Sequence, residues 1–356
     1  MANSPGREHP MHDDPSTSGG VHVLAPAKVN LCLSVSAPLP AGSRTRQGRD
    51  ATGFHEIASW FEPIALADEL SIEARRTGEG SAYSIEWADD APRVSPLDWP
   101  LEKDLAFRAH RIVEQAVGRS LDVRVRLLKR TPVGGGLGGG SSDAASMMLG
   151  LVRLFRLRLD AQALIDLSAP LGSDIAFFLD EQRVLAAVRD EPDPPPRGAV
   201  VTGLGDRIER LSRARSANRG DGEGGGLVLI VPPFGCPTGP VYKAFDAWLS
   251  AHAGAGLQAE RVRWLAQRAV RDAEGGLDDS EWFNDLALPA AQVESRLGEV
   301  LERLEEARGR GGNLMPRIHV TGSGSTMFCV TDRARRVCEW VQGVAPELVC
   351  VPTRML

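Results

Sequence analysis

The stretch with the most chemical content runs from Pro132 to Ala145 and reads P-V-G-G-G-L-G-G-G-S-S-D-A-A. Six of the seven residues from 134 to 140 are glycine. Such residues bury no side chain; they offer bare backbone that reaches positive φ and lets a ligand come close. Ser141, Ser142 and Asp143 follow, then an apolar run from Ala144 to Phe155 with helical periodicity. A glycine loop that opens into a helix presents unpaired N–H groups at the positive end of the helix dipole. That is an anion site, and phosphate is the usual anion. Gly134, Gly136 and Gly139 match G-x-G-x-x-G, but no G-K-[ST] ending supplies a Walker-type lysine. Before the loop, Val123, Val125 and Leu127 alternate with Arg124 and Arg126, so the context is strand, loop, helix rather than a flexible linker.

Four other segments carry polar groups in suggestive places. Lys28 and Asn30 alternate with Val29 and Leu31, which puts a cation and an amide on one strand face. That face suits a phosphate or a hydroxylated ligand, or equally plain solvent. In Gly53-Phe54-His55-Glu56-Ile57, an aromatic and a histidine at a loop-to-strand junction suit a stacked ring, or a satisfied structural histidine. Asp174, in L-G-S-D-I-A-F-F, stands at what reads as a helix start. It is either a first-turn acid favoured by the dipole or a functional carboxylate, for which Lys28 is a candidate partner. Gly322-Ser323-Gly324-Ser325 joins two short strands, as a hairpin turn or a second ligand loop.

The elements that position these groups read as α+β. The chain has 356 residues, 42% hydrophobic and 25% charged, enough for two domains with a sizeable core. A net charge of −6 argues against a nucleic-acid partner, so a phosphate site has to be made locally. Five cysteines without C-x-x-C spacing read as reduced thiols in a cytoplasm. No run approaches 18 apolar residues, so no membrane span is expected. Residues 1–20 read as a disordered tail, 21–200 as an N-terminal domain and 201–356 as a C-terminal one. Strands are expected at Val29 to Val35, Val184 to Val188, Leu227 to Val231, Ile318 to Val320, Met327 to Val330 and Leu348 to Val351. Helices are expected at Lys103 to Val117, Tyr242 to His252, Gln258 to Asp272, Gln292 to Arg308 and Asp332 to Gly343. Arg207 to Gly226 reads as a mobile insertion.

Taken together and in this order, the segments resemble the GHMP small-molecule kinases. P-A-K-V-N-L, G-F-H-E-I, K-R-T-P-V-G-G-G-L-G-G-G-S-S-D-A-A, L-G-S-D-I-A-F-F and P-T-G-P-V-Y carry the likeness, from Val21 to the C-terminus with insertions between. They are similar to the member whose substrate is cytidine diphosphate-linked methylerythritol. The resemblance implies a ribosomal-S5-domain-2-like N-terminal domain and a ferredoxin-like C-terminal domain. It implies ATP and Mg²⁺, with no metal-ligating side chain assigned, in a monomer or weak homodimer. Asp174 would be the base for the substrate hydroxyl, and Lys28 would keep it ionised and neutralise the transferring phosphoryl. Pro132, Gly134, Gly135, Gly136, Leu137, Gly138, Gly139, Gly140, Ser141 and Ser142 would cradle the ATP phosphates, with Lys129 near adenine. Asn30 would orient the polyol hydroxyls. Phe54 and Tyr242 would sandwich the cytosine, His55 would bond its edge and Thr238 would meet the diphosphate. Asp104 departs from the Asn that often opens the adenine-flanking helix. A dinucleotide-binding oxidoreductase fits less well, because the glycine loop lies mid-chain and not in a first βα turn.

Overall fold

The computed structural model describes residues 19–212, 226–252, 256–271, 278–310 and 315–356. Most of the expected tail, and residues 213–225 of the expected insertion, lie outside the described residues. The first part runs β1 (Gly20–Pro38), β2 (His55–Ala74), β3 (Ala82–Trp87), α1 (Leu105–Val117), β4 (Val123–Lys129), α2 (Gly139–Leu154), α3 (Ala161–Ser168), α4 (Ile175–Phe178), α5 (Glu181–Arg189), β5 (Ala199–Gly203) and β6 (Arg207–Arg210). Strand β2 is the spine of its sheet. β1 pairs antiparallel along one edge. On the other edge, Ile57 to Phe61 pair with β5 and Glu69 to Ala74 pair with β4. β3 lies parallel to β4, and β6 closes the far side against β5.

Helices α1 and α2 pack on this sheet through Ala109, Val113, Ala145 and Met148, against Leu70, Ile72 and Val125. Gly150 lets α2 come this near, since a Cβ there would stand 2.4 Å from Ile72. Asp104 caps α1, its carboxylate accepting from the N–H groups of Ala106 and Phe107, and Gly118 ends the helix at φ +69°. The departure at residue 104 is thus a sound N-cap.

The second part runs β7 (Leu227–Val231), α6 (Thr238–Ala251), α7 (Ala259–Arg271), α8 (Ala287–Val293), α9 (Ser295–Arg310), β8 (His319–Val320), β9 (Met327–Val330), α10 (Ala334–Val344) and β10 (Val349–Thr353). The strands lie in the order β10-β7-β9-β8, all antiparallel. Numbered along the chain that order is 4-1-3-2, with helices in both crossovers, which is the ferredoxin-like arrangement. The two parts share apolar core: Ala27, Val29, Leu31 and Trp60 cluster with Leu229, Val231, Val262 and Phe328. One face of β1 is therefore sealed by the second part, and the alternate face, with Lys28 and Asn30, is buried as well.

Two expectations change. Val184 to Val188 form no strand; they lie in α5, whose N-cap Asp180 accepts from Gln182 N and whose Val184 and Ala187 enter the core. Arg207 to Arg210 are not insertion but strand β6, and Leu211 beyond them is buried. The first sheet accordingly extends to Arg210, past the boundary expected at residue 200.

Candidate active site

The site forms where β1, the glycine loop and α4 meet. Irregular pairing in β1 between Pro26 and Lys28 marks a bulge. Lys28 is 3% exposed; its Nζ donates to Asn30 Oδ1 at 2.6 Å and to Gly136 O at 2.9 Å. The same ammonium lies 4.7 Å over the Phe61 ring and 3.5 Å from Asp174 Oδ2. Burial pushes the Lys28 ammonium down from its ordinary value, and the charge of Asp174 offsets part of that. Asp174 directly precedes α4, but its side chain caps no helix N–H. The acid thus makes no capping bond, and its carboxylate lies 3.5 Å from the Lys28 ammonium.

The glycine loop arches over Lys28. Gly136 and Gly138 have φ near +75° and +70°. A Cβ on Gly136 would fall 2.5 Å from Thr321 O, and one on Gly138 would crowd Lys28 and Phe178 at 3.1 and 3.3 Å. Backbone alone fits there. The Leu137 side chain is buried and its carbonyl accepts from Lys28 N, so this residue anchors the arch. Gly138 caps α2, leaving the N–H groups of Gly139, Gly140 and Ser141 at the helix start. Pro132 is buried and sets the loop's entry, Gly134 and Gly140 are open to solvent, and Gly135 accepts from Thr326 N. The hydroxyl of Ser142 is buried in the first turn without a hydrogen-bond partner.

The late turn from Thr321 to Thr326 is both a hairpin and part of this site. It links β8 to β9 and packs on the loop at Gly135 and Gly136. Thr321 Oγ1 accepts from Asn30 N at 2.9 Å, and Asn284 donates to Val320 O and Gly322 O. Asn30, expected to orient hydroxyls, is engaged within the protein. Its Nδ2 donates to Ser59 Oγ at 2.8 Å and its Oδ1 serves Lys28 and Thr321, so it is 3% exposed and holds Lys28 in place.

Lys129 is engaged as well. Its ammonium is buried between Asp68 and Asp143 rather than open to a base. Burial alone would lower it; the charges of Asp143 and Asp68 outweigh that and hold it above its ordinary value. Asp68 further accepts from Thr131 N at 2.7 Å and from Arg130 N, so this triad pins both ends of the glycine loop. Nothing in the sequence singled out Asp68, which sits far from the loop on β2.

Across the cleft, Phe54 is 59% exposed beside a half-buried His55, whose ring lies 5.0 Å from that of Tyr242 on α6. Burial, and after it the charge of Asp174, push the Tyr242 phenol up to about 12. Thr238, exposed at the start of α6, meets Ser323 of the late turn at 3.1 Å.

Known proteins share this arrangement. Residues 104–181 match the GHMP kinases N terminal domain. The 4-diphosphocytidyl-2-C-methyl-D-erythritol kinase of Heliobacterium modesticaldum is 35% identical over 321 residues, covering 87% of this chain and 86% of that protein. The chain belongs to the 4-diphosphocytidyl-2-C-methyl-D-erythritol kinases. A crystal structure of 4-(cytidine 5'-diphospho)-2C-methyl-D-erythritol kinase superposes on this kinase with a TM-score of 0.60 and 28% identity, over 94% of this chain and 98% of the other. Homoserine kinase from Cytophaga hutchinsonii superposes with a TM-score of 0.52 at 12% identity, over 96% of each, and shares the fold alone. Substrate choice within this fold therefore rests on side chains and not on the fold itself.

Proposed function

We infer that this kinase transfers the γ-phosphoryl of ATP to the 2-hydroxyl of 4-diphosphocytidyl-2-C-methyl-D-erythritol. The observation that carries the reading is the Lys28–Asp174 pair at 3.5 Å beneath a loop that only glycine can form. Asp174 accepts the hydroxyl proton, the freed oxygen attacks the γ-phosphorus, and the β–γ bridging oxygen leaves with ADP. Lys28, held by Asn30 and Gly136, neutralises charge on the group in flight. The loop amides and the start of α2 hold the phosphates. Positioning and charge neutralisation suffice for phosphoryl transfer, so few side chains are needed.

The donor set near the loop fits Mg²⁺ sparingly. Ser142 offers an unpartnered hydroxyl, and Asp143, engaged by Lys129 through Oδ2, leaves its Oδ1 buried and unpartnered. The ion would be held by Ser142 and by phosphate oxygens and water. When bound it supplies charge neutralisation on the phosphates.

Exposed Val94 and Val133 flank a cleft beside Pro132 and Gly135, apolar faces suited to a purine. Phe54, His55 and Tyr242 form the base end of the acceptor site, and Thr238 takes its diphosphate. The reading is tested by ADP release with the cytidylated acceptor, mevalonate, homoserine and galactose in parallel. Turnover with the cytidylated acceptor alone is expected; preference for another of the four refutes the assignment.

A further inference from the structure

His55 opens β2, and its ring is held from several directions. Its Nδ1 lies 2.9 Å from Ser36 O; a carbonyl only accepts, so Nδ1 carries a proton and donates it. Tyr242 and Phe245 flank the ring at 5.0 and 6.1 Å between centroids. Its Nε2 stands 3.5 Å from Asp246 Oδ1. That carboxylate oxygen is buried and has no hydrogen-bond partner at rest. A buried carboxylate oxygen left unpaired is costly; with Nδ1–H given to Ser36 O, the ring donates from Nε2 to Oδ1 as the imidazolium, in which both nitrogens carry protons. Asp246 lies one helical turn beyond Tyr242 on α6, so the two share a face.

We propose that Asp246 is a positioning residue for the acceptor's base: acting through His55, it fixes the imidazole against Tyr242 and ties β2 to α6 across the cleft. This rests on the reading of Phe54, His55 and Tyr242 as the base end of the acceptor site. With Nδ1 bound to β1 and Nε2 held by α6, the ring has one orientation. The backbone that it anchors carries Phe54. A base entering beside Tyr242 then meets a pre-formed wall and orders few groups on arrival. Asp246 touches the ring and not the reacting atoms, so its loss falls on acceptor binding and not on chemistry.

The test is calorimetry of cytidine diphosphate binding to wild type, Asp246→Ala, Asp246→Asn, His55→Ala and the double alanine variant. A non-hydrolysable ATP analogue and the melting temperature are the controls. Asp246→Ala is expected to weaken cytidine diphosphate by roughly 5- to 30-fold and the ATP analogue by less than about twofold. Asp246→Asn, which keeps an acceptor oxygen, is expected to fall between. The double variant is expected to match His55→Ala within about twofold, because the effect of Asp246 passes through that ring. Cytidine diphosphate binding by Asp246→Ala within twofold of wild type overturns the proposal. So do additive losses in the double variant, or equal losses for both ligands with a lower melting temperature. If His55→Ala does not fold, the alanine–asparagine contrast at 246 decides. Wild type that fails to bind cytidine diphosphate refutes the base pocket itself, and the proposal with it.

Discussion

Two lysines are buried beside carboxylates in this molecule, and they are built in opposite ways. Lys129 has two carboxylates on its ammonium, and its charge is favoured. Lys28 has one carboxylate at 3.5 Å, two neutral oxygens and an aromatic face, and its charge is disfavoured by burial. The first is saturated and serves the fold. The second is under-neutralised, as the proposed phosphoryl site requires. A buried cation short of anions next to backbone amides is a binding device, whereas one with an excess of them is a clasp.

Exchange of each lysine for methionine is expected to have opposite effects on stability. Lys129→Met leaves Asp68 and Asp143 buried against each other, with an expected loss of about 3–5 kcal/mol, read by urea unfolding. Lys28→Met should behave otherwise. Its folded-state value lies below the unfolded one, so at neutral pH the ammonium is less welcome in the fold than in the open chain. The variant should keep or gain stability while losing turnover. Similar unfolding midpoints for the two variants would erase the distinction.

A smaller effect sharpens it. Asp180 is another saturated group, buried against Arg197 and Arg210. Burial alone would raise its carboxyl; the hydrogen bonds of Arg197 and the charge of Arg210 outweigh that and hold it at about 2. Because the folded value lies below the unfolded one near 3.8, the stabilisation is complete above pH 4 and is lost as pH falls toward 2. It amounts to about 2 kcal/mol. Asp180→Asn should flatten that part of the stability–pH curve; an unchanged slope between pH 4 and 2 would contradict the assignment.

Much of the site was legible because it is local. The glycine loop, the alternation of Lys28 with Val29 and the order strand-loop-helix are properties of short windows. Tyr242, and its meeting with His55, were legible only through resemblance, since no window joins β2 to α6. Asp68 and Asp246 were not legible at all: each acts on residues remote in sequence, and an acid on a strand or helix surface carries no mark of its partner. The bonds of Asn30 to Lys28, Ser59 and Thr321 were not legible, because alternation tells which face a side chain takes and not what closes over it. The strand expected at Val184 to Val188 misread a continuous apolar run. The Asp180 cap and the packing of Val184 and Ala187 decided for helix.

The central claim is that Asp174 takes the acceptor's proton beside Lys28. The direct measurement is single-turnover phosphoryl transfer by Asp174→Asn with ATP and the cytidylated acceptor saturating, alongside the dissociation constant for ATP. The change keeps shape and removes the proton acceptor. A fall of roughly 10²–10⁴-fold in rate is expected, with ATP affinity within about twofold of wild type. A rate near wild type would contradict the account.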